Sequence, residues 1–201
     1  MKKQVSMISL FPALLVLGAI VTVPLAAPTA AEAEDFAYIG SKNCKKCHLK
    51  EFKSWEATKM ATTFDALKPG ERTEAKLGAG LDPNNDYSTD AKCVKCHVTG
   101  YGQPGGFVDI ETTPDLANVG CESCHGPGGT YVADELMSLK NKEYKRADVV
   151  AAGMVEKVGA DQCTGCHNSE SPFVADGYVF DFEANKETGT HEKYPLKYNH
   201  D

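Results

Sequence analysis

Arginine, histidine and tryptophan are scarce in this sequence, and it has no long hydrophobic run after its first segment. The 201 residues include two arginines, Arg72 and Arg146, six histidines and one tryptophan. These are few groups for an enzyme that must move protons and stabilise developing charge. After Val23 no apolar stretch is long enough to span a bilayer, which argues against an integral membrane span in the mature chain.

Basic residues are also in the minority. The formal net charge is −7, and it becomes −8 when a leader with two lysines and one glutamate is removed. An acidic surface argues against a nucleic-acid partner and against an anionic membrane surface. It permits docking to a redox protein with a basic patch, and it serves solubility equally well.

The one long apolar run belongs to a typical secretory leader. Its parts are the positive pair Lys2 and Lys3, an apolar segment from Val5 to Val23, and a small-residue cleavage site at Ala31-Glu32-Ala33. We expect removal of residues 1–33, leaving one domain of residues 34–201 in the periplasm or outside the cell. Retention of the leader as an anchor is the alternative, because the run approaches spanning length. No cysteine precedes Cys44, which excludes lipid attachment to a leader cysteine.

All eight cysteines fall in the pattern Cys-x-x-Cys-His, which occurs four times. From the N-terminus, the cysteines of motifs 1 to 4 are Cys44 and Cys47, Cys93 and Cys96, Cys121 and Cys124, and Cys163 and Cys166, followed by His48, His97, His125 and His167. On a helical turn, residues three and four apart share one face, so two thiols and one imidazole face the same ligand. The pattern predicts four covalently bound c-type haems, with the motif histidines as proximal iron ligands. Zinc sites, a thioredoxin-like pair or disulfides are weaker interpretations, since none requires a histidine after the second cysteine.

The mature length predicts the fold class. It provides 168 residues, or 42 for each motif, so the haems must form much of the core. We therefore expect a mainly α, compact multihaem c-type cytochrome, with short helices and long loops wrapped around four covalently bound haems. The predicted helices are Glu51–Leu67, Glu71–Leu77, Thr130–Lys140, Arg146–Val158 and Phe182–His191, with a small hairpin at Phe107–Ile110.

Further segments resemble the tetrahaem cytochrome c-554 family. They are Ser54-Trp55, Leu67-Lys68-Pro69, Leu81-Asp82-Pro83, Asp86-Tyr87, Gly100-Tyr101-Gly102-Gln103, Gly105-Gly106 and Val119 to Gly128 around motif 3. The resemblance covers about residues 40–170. It implies haems in near-contact pairs and a periplasmic electron carrier, whose donor in nitrifying bacteria is hydroxylamine oxidoreductase. It also implies that the haem of motif 2 lacks a distal protein ligand. The partner does not transfer with the fold.

Distal ligands are where the chain departs from the family. Four irons with two imidazoles each would need eight histidines, and only His191 and His200 lie outside the motifs. His191 resembles the family's C-terminal distal ligand, and we assign it to the haem of motif 4. His200 is the penultimate residue, and chain ends are usually disordered, so a surface position is its default.

Methionine thioether is the obvious substitute for a missing distal histidine. Met60 lies where the family resemblance places a distal histidine, and a core filler is its alternative. Met137 lies two residues out of step with another such position. Met154 lies on an apolar face, where packing is the better explanation.

The leading functional hypothesis is an electron carrier that needs no bond-making side chains, because the protein sets ligation, burial and spacing of the haems. Its partners are a redox donor and acceptor. The alternatives are a small reductase of nitric oxide or hydroxylamine at an open haem of motif 2, and a polymerising or surface electron conduit.

Overall fold

The computed structural model describes residues 37–133 and 136–198. The predicted leader and His200 lie outside these residues. The α-helices, numbered in chain order, are α1 Ser41–Cys44, α2 Leu49–Glu56, α3 Thr73–Gly78, α4 Ala91–His97, α5 Glu122–His125, α6 Arg146–Ala151, α7 Ala160–Thr164 and α8 Phe182–Asn185. Three 3₁₀ turns are Lys59–Thr62, Asp65–Leu67 and Pro114–Leu116.

The described residues form short helices joined by long loops, as predicted. They contain no strand, and their one isolated β-bridge joins Val98 to Ala117. None of the helices in these two ranges is long and apolar enough to cross a membrane. The mainly α class is therefore confirmed for this part of the chain.

Each motif forms a helical turn within or beside one of the short α-helices. In motifs 1, 3 and 4 the backbone N–H of the histidine donates to the carbonyl of the first cysteine, at 2.9, 3.0 and 2.8 Å. Motif 2 lies wholly within α4, whose N-terminus is capped by the Asp90 carboxylate through the Lys92 N–H. The shared face that the spacing predicts is therefore present in all four motifs.

The helix predicted over Glu51–Leu67 is wrong in its length. The α-helix ends at Glu56, and Thr58 takes an extended conformation with φ −90° and ψ 163°. Both the N–H and the hydroxyl of Thr58 donate to the Trp55 carbonyl, at 2.8 and 2.7 Å. This local bonding competes with the helical ladder, and the chain continues as two 3₁₀ turns.

The helix predicted over Arg146–Val158 also ends early, at Ala151. Gly153 has φ +102°, the Gly153 N–H donates to the Val150 carbonyl, and the Met154 N–H donates to the Val149 carbonyl. This is the Schellman arrangement, in which a left-handed glycine ends the helix.

Two other predicted elements are wrong. Residues 107–110 contain no strand, because Asp109 turns the chain by accepting the Glu111 and Thr112 N–H groups at 3.0 and 2.6 Å. The described residues of 130–140 form turns and bends instead of a helix. There the buried Tyr131 donates its hydroxyl to the Gly126 carbonyl at 3.0 Å, which holds the segment against motif 3.

The apolar core of the described residues is small. Its main cluster is Phe64, Leu67, Val94, Val98, Phe107 and Leu116. The cluster includes Val94, which belongs to motif 2. Three other residues, Phe52, Tyr131 and Val149, are buried outside the cluster. So small a core is what we expect if the haems supply much of the apolar contact.

Candidate haem-binding site

Motifs 1 and 3 meet through their first cysteines. The Cys44 and Cys121 thiols interact with one another. This interaction, followed by weaker influences, lowers the pKa of Cys121 to about 6 and raises the pKa of Cys44. The Cys121 N–H also donates to Ser41 Oγ at 3.1 Å, so α1 is tied to the start of motif 3.

Motifs 2 and 4 form a second pair. The Cys96 and Cys166 thiols interact, and this interaction lowers the pKa of Cys96 to about 7 and raises the pKa of Cys166. An ion pair between Lys95, inside motif 2, and Glu170, just after motif 4, links the same two segments on the surface. All eight cysteines are free, so these contacts join motifs without disulfide bonds.

The two pairs are joined through motifs 3 and 4. Helix α5, which carries motif 3, contacts α7, which carries the first cysteine of motif 4. Burial first, and then the charge of the Cys163 sulfur, raise the pKa of Cys124 to about 11. The motifs therefore follow one another in space in the order 1, 3, 4, 2.

Backbone carbonyls orient two of the histidines. His97 Nδ1 lies 2.6 Å from the Thr63 carbonyl oxygen, and His191 Nδ1 lies 2.8 Å from the Glu192 carbonyl oxygen. A carbonyl only accepts, so Nδ1 carries the proton in both rings and Nε2 is left free to bind a metal.

His191 lies opposite His125. Their ring centroids are 6.3 Å apart, with 33° between the ring planes. Burial first, and then the charge of His191, lower the pKa of His125. Two imidazoles on opposite sides of one metal, each bonded at about 2.0 Å, have ring centres about 6 Å apart. The separation of the two rings is therefore the one expected for two imidazoles that would bind one iron.

Helix α2 positions both sides of this histidine pair through two consecutive residues. Trp55 Nε1 donates to the Val119 carbonyl at 3.0 Å, which fixes the segment that leads into motif 3. Ser54 Oγ accepts the Glu192 N–H at 2.8 Å, which fixes the residue after His191. The tail is thus brought back across the chain to the third motif.

Comparisons with known proteins agree with this arrangement. A family model described as "Cytochrome c554 and c-prime" matches residues 43–126. Cytochrome c-554 of Nitrosomonas europaea is 39% identical over 140 residues, which are 67% of this chain and 59% of that protein. The solved structure of reduced cytochrome c554 from the same organism matches with a TM-score of 0.68 and 35% identity, over 80% of this chain and 88% of that one. The chain belongs to the cytochrome c-554 family.

Membership in this family of c-type cytochromes implies haem c as the cofactor, and the site has the parts that haem c requires. Each motif supplies two free thiols and one imidazole from a single helical turn. The separation of the His125 and His191 rings would suit two imidazole ligands of one iron. The residues present therefore fit the group.

For His191 the structure differs from the sequence-based assignment. We assigned this residue to the haem of motif 4, but its ring faces His125 of motif 3. The His167 ring of motif 4 is stacked instead on Phe180, with centroids 4.8 Å apart. The reason is the anchoring of the tail on Ser54, a contact between residues 138 positions apart that no local pattern reveals.

Backbone hydrogen bonds place the methionine candidates near motif 3 and the segment that follows it. The Met60 carbonyl accepts the Val119 N–H at 3.2 Å, so Met60 is close to the approach to motif 3. The Met137 N–H donates to the carbonyl of the buried Tyr131 at 3.0 Å. Met154 is half-buried behind motif 3, where the neighbouring Val155 N–H donates to the His125 carbonyl at 3.0 Å.

Sequence reasoning missed Glu122, which lies between the two cysteines of motif 3. Its side chain is 3% exposed, and its carboxylate accepts three backbone N–H groups. A buried carboxylate is poorly screened by water, so its negative charge changes the energies of the charged groups around it. The only signal in the sequence was a glutamate inside the motif followed by the glycine-rich segment 126–129, and this does not reveal burial.

Proposed function

We propose that residues 34–201 form a periplasmic tetrahaem cytochrome that carries electrons between two redox proteins. The observation that carries this proposal is the pairing of motifs from distant parts of the chain. Motif 3 is tied to the helix of motif 1 by the bond from the Cys121 N–H to Ser41 Oγ, and motif 2 is tied to the segment after motif 4 by the Lys95–Glu170 ion pair. Haems attached to paired motifs would lie side by side. Close spacing of haems is what an electron carrier requires, and no bond-making side chain is needed.

The order of the motifs defines a path. Motifs 1 and 3 form one pair, motifs 4 and 2 form the other, and α5 and α7 join them. Bound haem c supplies an iron that gains or loses one electron at a time. The chain holds these groups in the order 1, 3, 4, 2, so the two ends of the path are motifs 1 and 2.

Motif 1 is the end best placed to meet a partner. Cys47 is the exposed member of the eight motif cysteines, and the others are half-buried. Exposed lysines flank it in the sequence at Lys45, Lys46, Lys50 and Lys53, while the exposed Lys42 forms an ion pair with Asp115. An acidic redox protein would therefore dock more readily at this end than at the acidic remainder of the surface.

His191 and His125 are the proposed axial ligands of the haem of motif 3. With only six histidines, the other three irons cannot all be bis-histidine, so their ligation must be unequal. Met60 and Met137 stay candidates for distal positions. A methionine-ligated haem has a higher reduction potential than a bis-histidine haem.

The test uses the mature protein purified after export. We expect a pyridine haemochrome assay and intact mass to give four haems per chain. EPR with near-infrared magnetic circular dichroism should then show at least one bis-histidine haem and at least one haem of different ligation. Fewer than four haems would refute the tetrahaem proposal. Catalytic turnover of nitric oxide or hydroxylamine by the reduced protein would favour the reductase instead.

A further inference from the structure

Two charged side chains are fully buried among the described residues, and they have opposite signs. Glu122 and Lys76 are each 3% exposed. Glu122 belongs to motif 3 of the 1–3 pair, whereas Lys76 lies beside motif 2 of the 2–4 pair. We propose that these two residues set the direction of electron transfer, with Glu122 lowering the reduction potentials of haems 1 and 3 and Lys76 raising that of haem 2.

The Glu122 carboxylate is held by three backbone donors. Its Oε1 accepts the Ile39 and Gly128 N–H groups at 2.9 and 2.7 Å, and its Oε2 accepts the Gly40 N–H at 2.7 Å. Ile39 and Gly40 lead directly into α1 and motif 1. The side chain therefore ties the approach to motif 1 to motif 3, and its negative charge lies between the two.

Space around this carboxylate is limited. A Cβ atom built on Gly128 would lie 2.9 Å from the Ile39 side chain and 3.1 Å from Glu122 Oε1. The charge also acts on neighbouring groups. Burial first, and then the charges of Cys44 and Glu122, raise the pKa of Tyr131. The carboxylate is thus fixed in a poorly hydrated position between motif 3 and the residues that lead into motif 1.

Lys76 occupies a comparable position beside motif 2. Its Nζ donates to the Lys68 carbonyl at 2.7 Å and lies 5.3 Å from the centre of the Tyr87 ring. Tyr87 packs against the core cluster that contains Val94 of motif 2. Burial first, and then the charges of Asp90 and Cys96, raise the pKa of Cys93, and the positive charges of Lys76 and Lys92 oppose that rise. The field of the lysine therefore reaches the first cysteine of motif 2.

The signs follow from the charge on the iron. A buried negative charge favours the oxidised, more positive haem and lowers its reduction potential. A buried positive charge favours the reduced haem and raises the potential. Because surface charges are screened by water and salt, these two buried groups should outweigh exposed ones at similar distances. An electron that enters at haem 1 would then be favoured to move towards haem 2.

This inference rests on the proposed haem content, so the haem count of the wild-type protein is measured first. Failure of that count refutes the proposed function. If four haems are present, the buried-charge proposal is tested alone. Redox titrations followed by EPR would give the potential of each haem, with the spectral change in H191A marking haem 3.

The first pair of variants separates charge from shape. In E122Q the negative charge is lost while the side chain keeps its size, and in E122D the charge stays while the side chain is shortened. We expect E122Q to shift the reduction equilibrium of haems 1 and 3 about tenfold towards the reduced form, with smaller shifts at haems 2 and 4. E122D should keep potentials near those of the wild type. Hydrogen exchange at the amides of Ile39, Gly40 and Gly128 should be faster in both variants.

The second pair tests Lys76 in the same way. K76M should lower the potential of haem 2, while K76R should leave it close to the wild-type value. Matched controls are Glu56→Gln and Lys157→Met, which remove exposed charges and should leave all four potentials unchanged.

Several results would overturn the proposal. One is an E122Q protein with wild-type reduction potentials at haems 1 and 3. Another is an equal shift of the potentials of all four haems in E122Q. A third is a shift in E122D as large as the shift in E122Q. An unchanged haem 2 in K76M would overturn the role of the lysine. If E122Q does not retain four haems, the test is made with E122D. Reduction potentials of haems 1 and 3 in E122D that differ from the wild-type values would then refute the role of the glutamate.

Discussion

Replacing His191 by alanine is the most direct test of the ligand pair opposite motif 3. The measured separation of the His125 and His191 ring centres is 6.3 Å. Two metal–nitrogen bonds of about 2.0 Å, plus about 1.1 Å from nitrogen to ring centre on each side, add up to about 6.2 Å. The two values agree, so His191 can reach an iron bound by His125 without rearrangement of the tail.

The expected magnitude follows from the number of motifs. Because His191 serves one of four predicted haems, H191A should convert about a quarter of the haem iron from low spin to high spin. The haem affected should be that of motif 3, and the remaining spectrum should be unchanged. Added imidazole should restore the low-spin signal, because it can occupy the space that the side chain has left.

EPR and electronic absorption of the oxidised protein would measure this change. His200→Ala is the parallel variant, since it removes the other histidine outside the motifs, and it should leave haem 3 unchanged. An H191A protein with wild-type spin states would refute the assignment. A change at the haem of motif 4 instead would restore the assignment made from the sequence alone.

Three further predictions concern other contacts of the site and the fold. W55F removes the hydrogen bond from Trp55 Nε1 to the Val119 carbonyl. It should lower the free energy of unfolding of the holoprotein by about 1 kcal/mol, measured by denaturant titration. An unchanged denaturation midpoint would contradict this prediction. If Met60 is a distal ligand, M60L should abolish a sulfur-to-iron charge-transfer band in near-infrared magnetic circular dichroism, whereas persistence of the band in M60L would exclude it. Hydrogen bonds from Thr112, mainly from its backbone, lower the pKa of Asp109. The stabilisation by this carboxylate should therefore be present at neutral pH. It should be lost as the pH falls below about 4 through the folded-state pKa. D109N should remove that part of the pH dependence of unfolding, and identical acid profiles of the two proteins would refute it.

Local structure at the motifs could be predicted from sequence because it depends on spacing. Cysteine and histidine three and four residues apart share a face on any helical turn. The i to i+4 bonds from His48, His125 and His167 show that such turns are formed. Helix ends were predicted less well, because they depend on single residues. Thr58 ended one helix through its hydroxyl, and Gly153 ended another through its positive φ.

The role of Glu122 could not be predicted from sequence. A glutamate between two cysteines is ordinarily exposed, and only the folded chain brings three N–H donors from residues 39, 40 and 128 around its carboxylate. The burial of Lys76 is similar, since it depends on the Lys68 carbonyl and on Tyr87 from a later segment. Burial is a property of packing between distant segments, so composition and spacing do not reveal it.

The sequence by itself determined the cofactor chemistry and the number of histidines available to serve it. The cofactor follows from the Cys-x-x-Cys-His pattern and the number of histidines from a count, so neither requires the folded structure. Only the tertiary structure decided which motifs meet and what lies opposite each histidine. His191 faces His125 and not His167, because the tail is anchored on Ser54 of α2. Motif 1 meets motif 3 because Glu122 and Ser41 hold their segments together, and such long-range contacts exist only once the chain has folded.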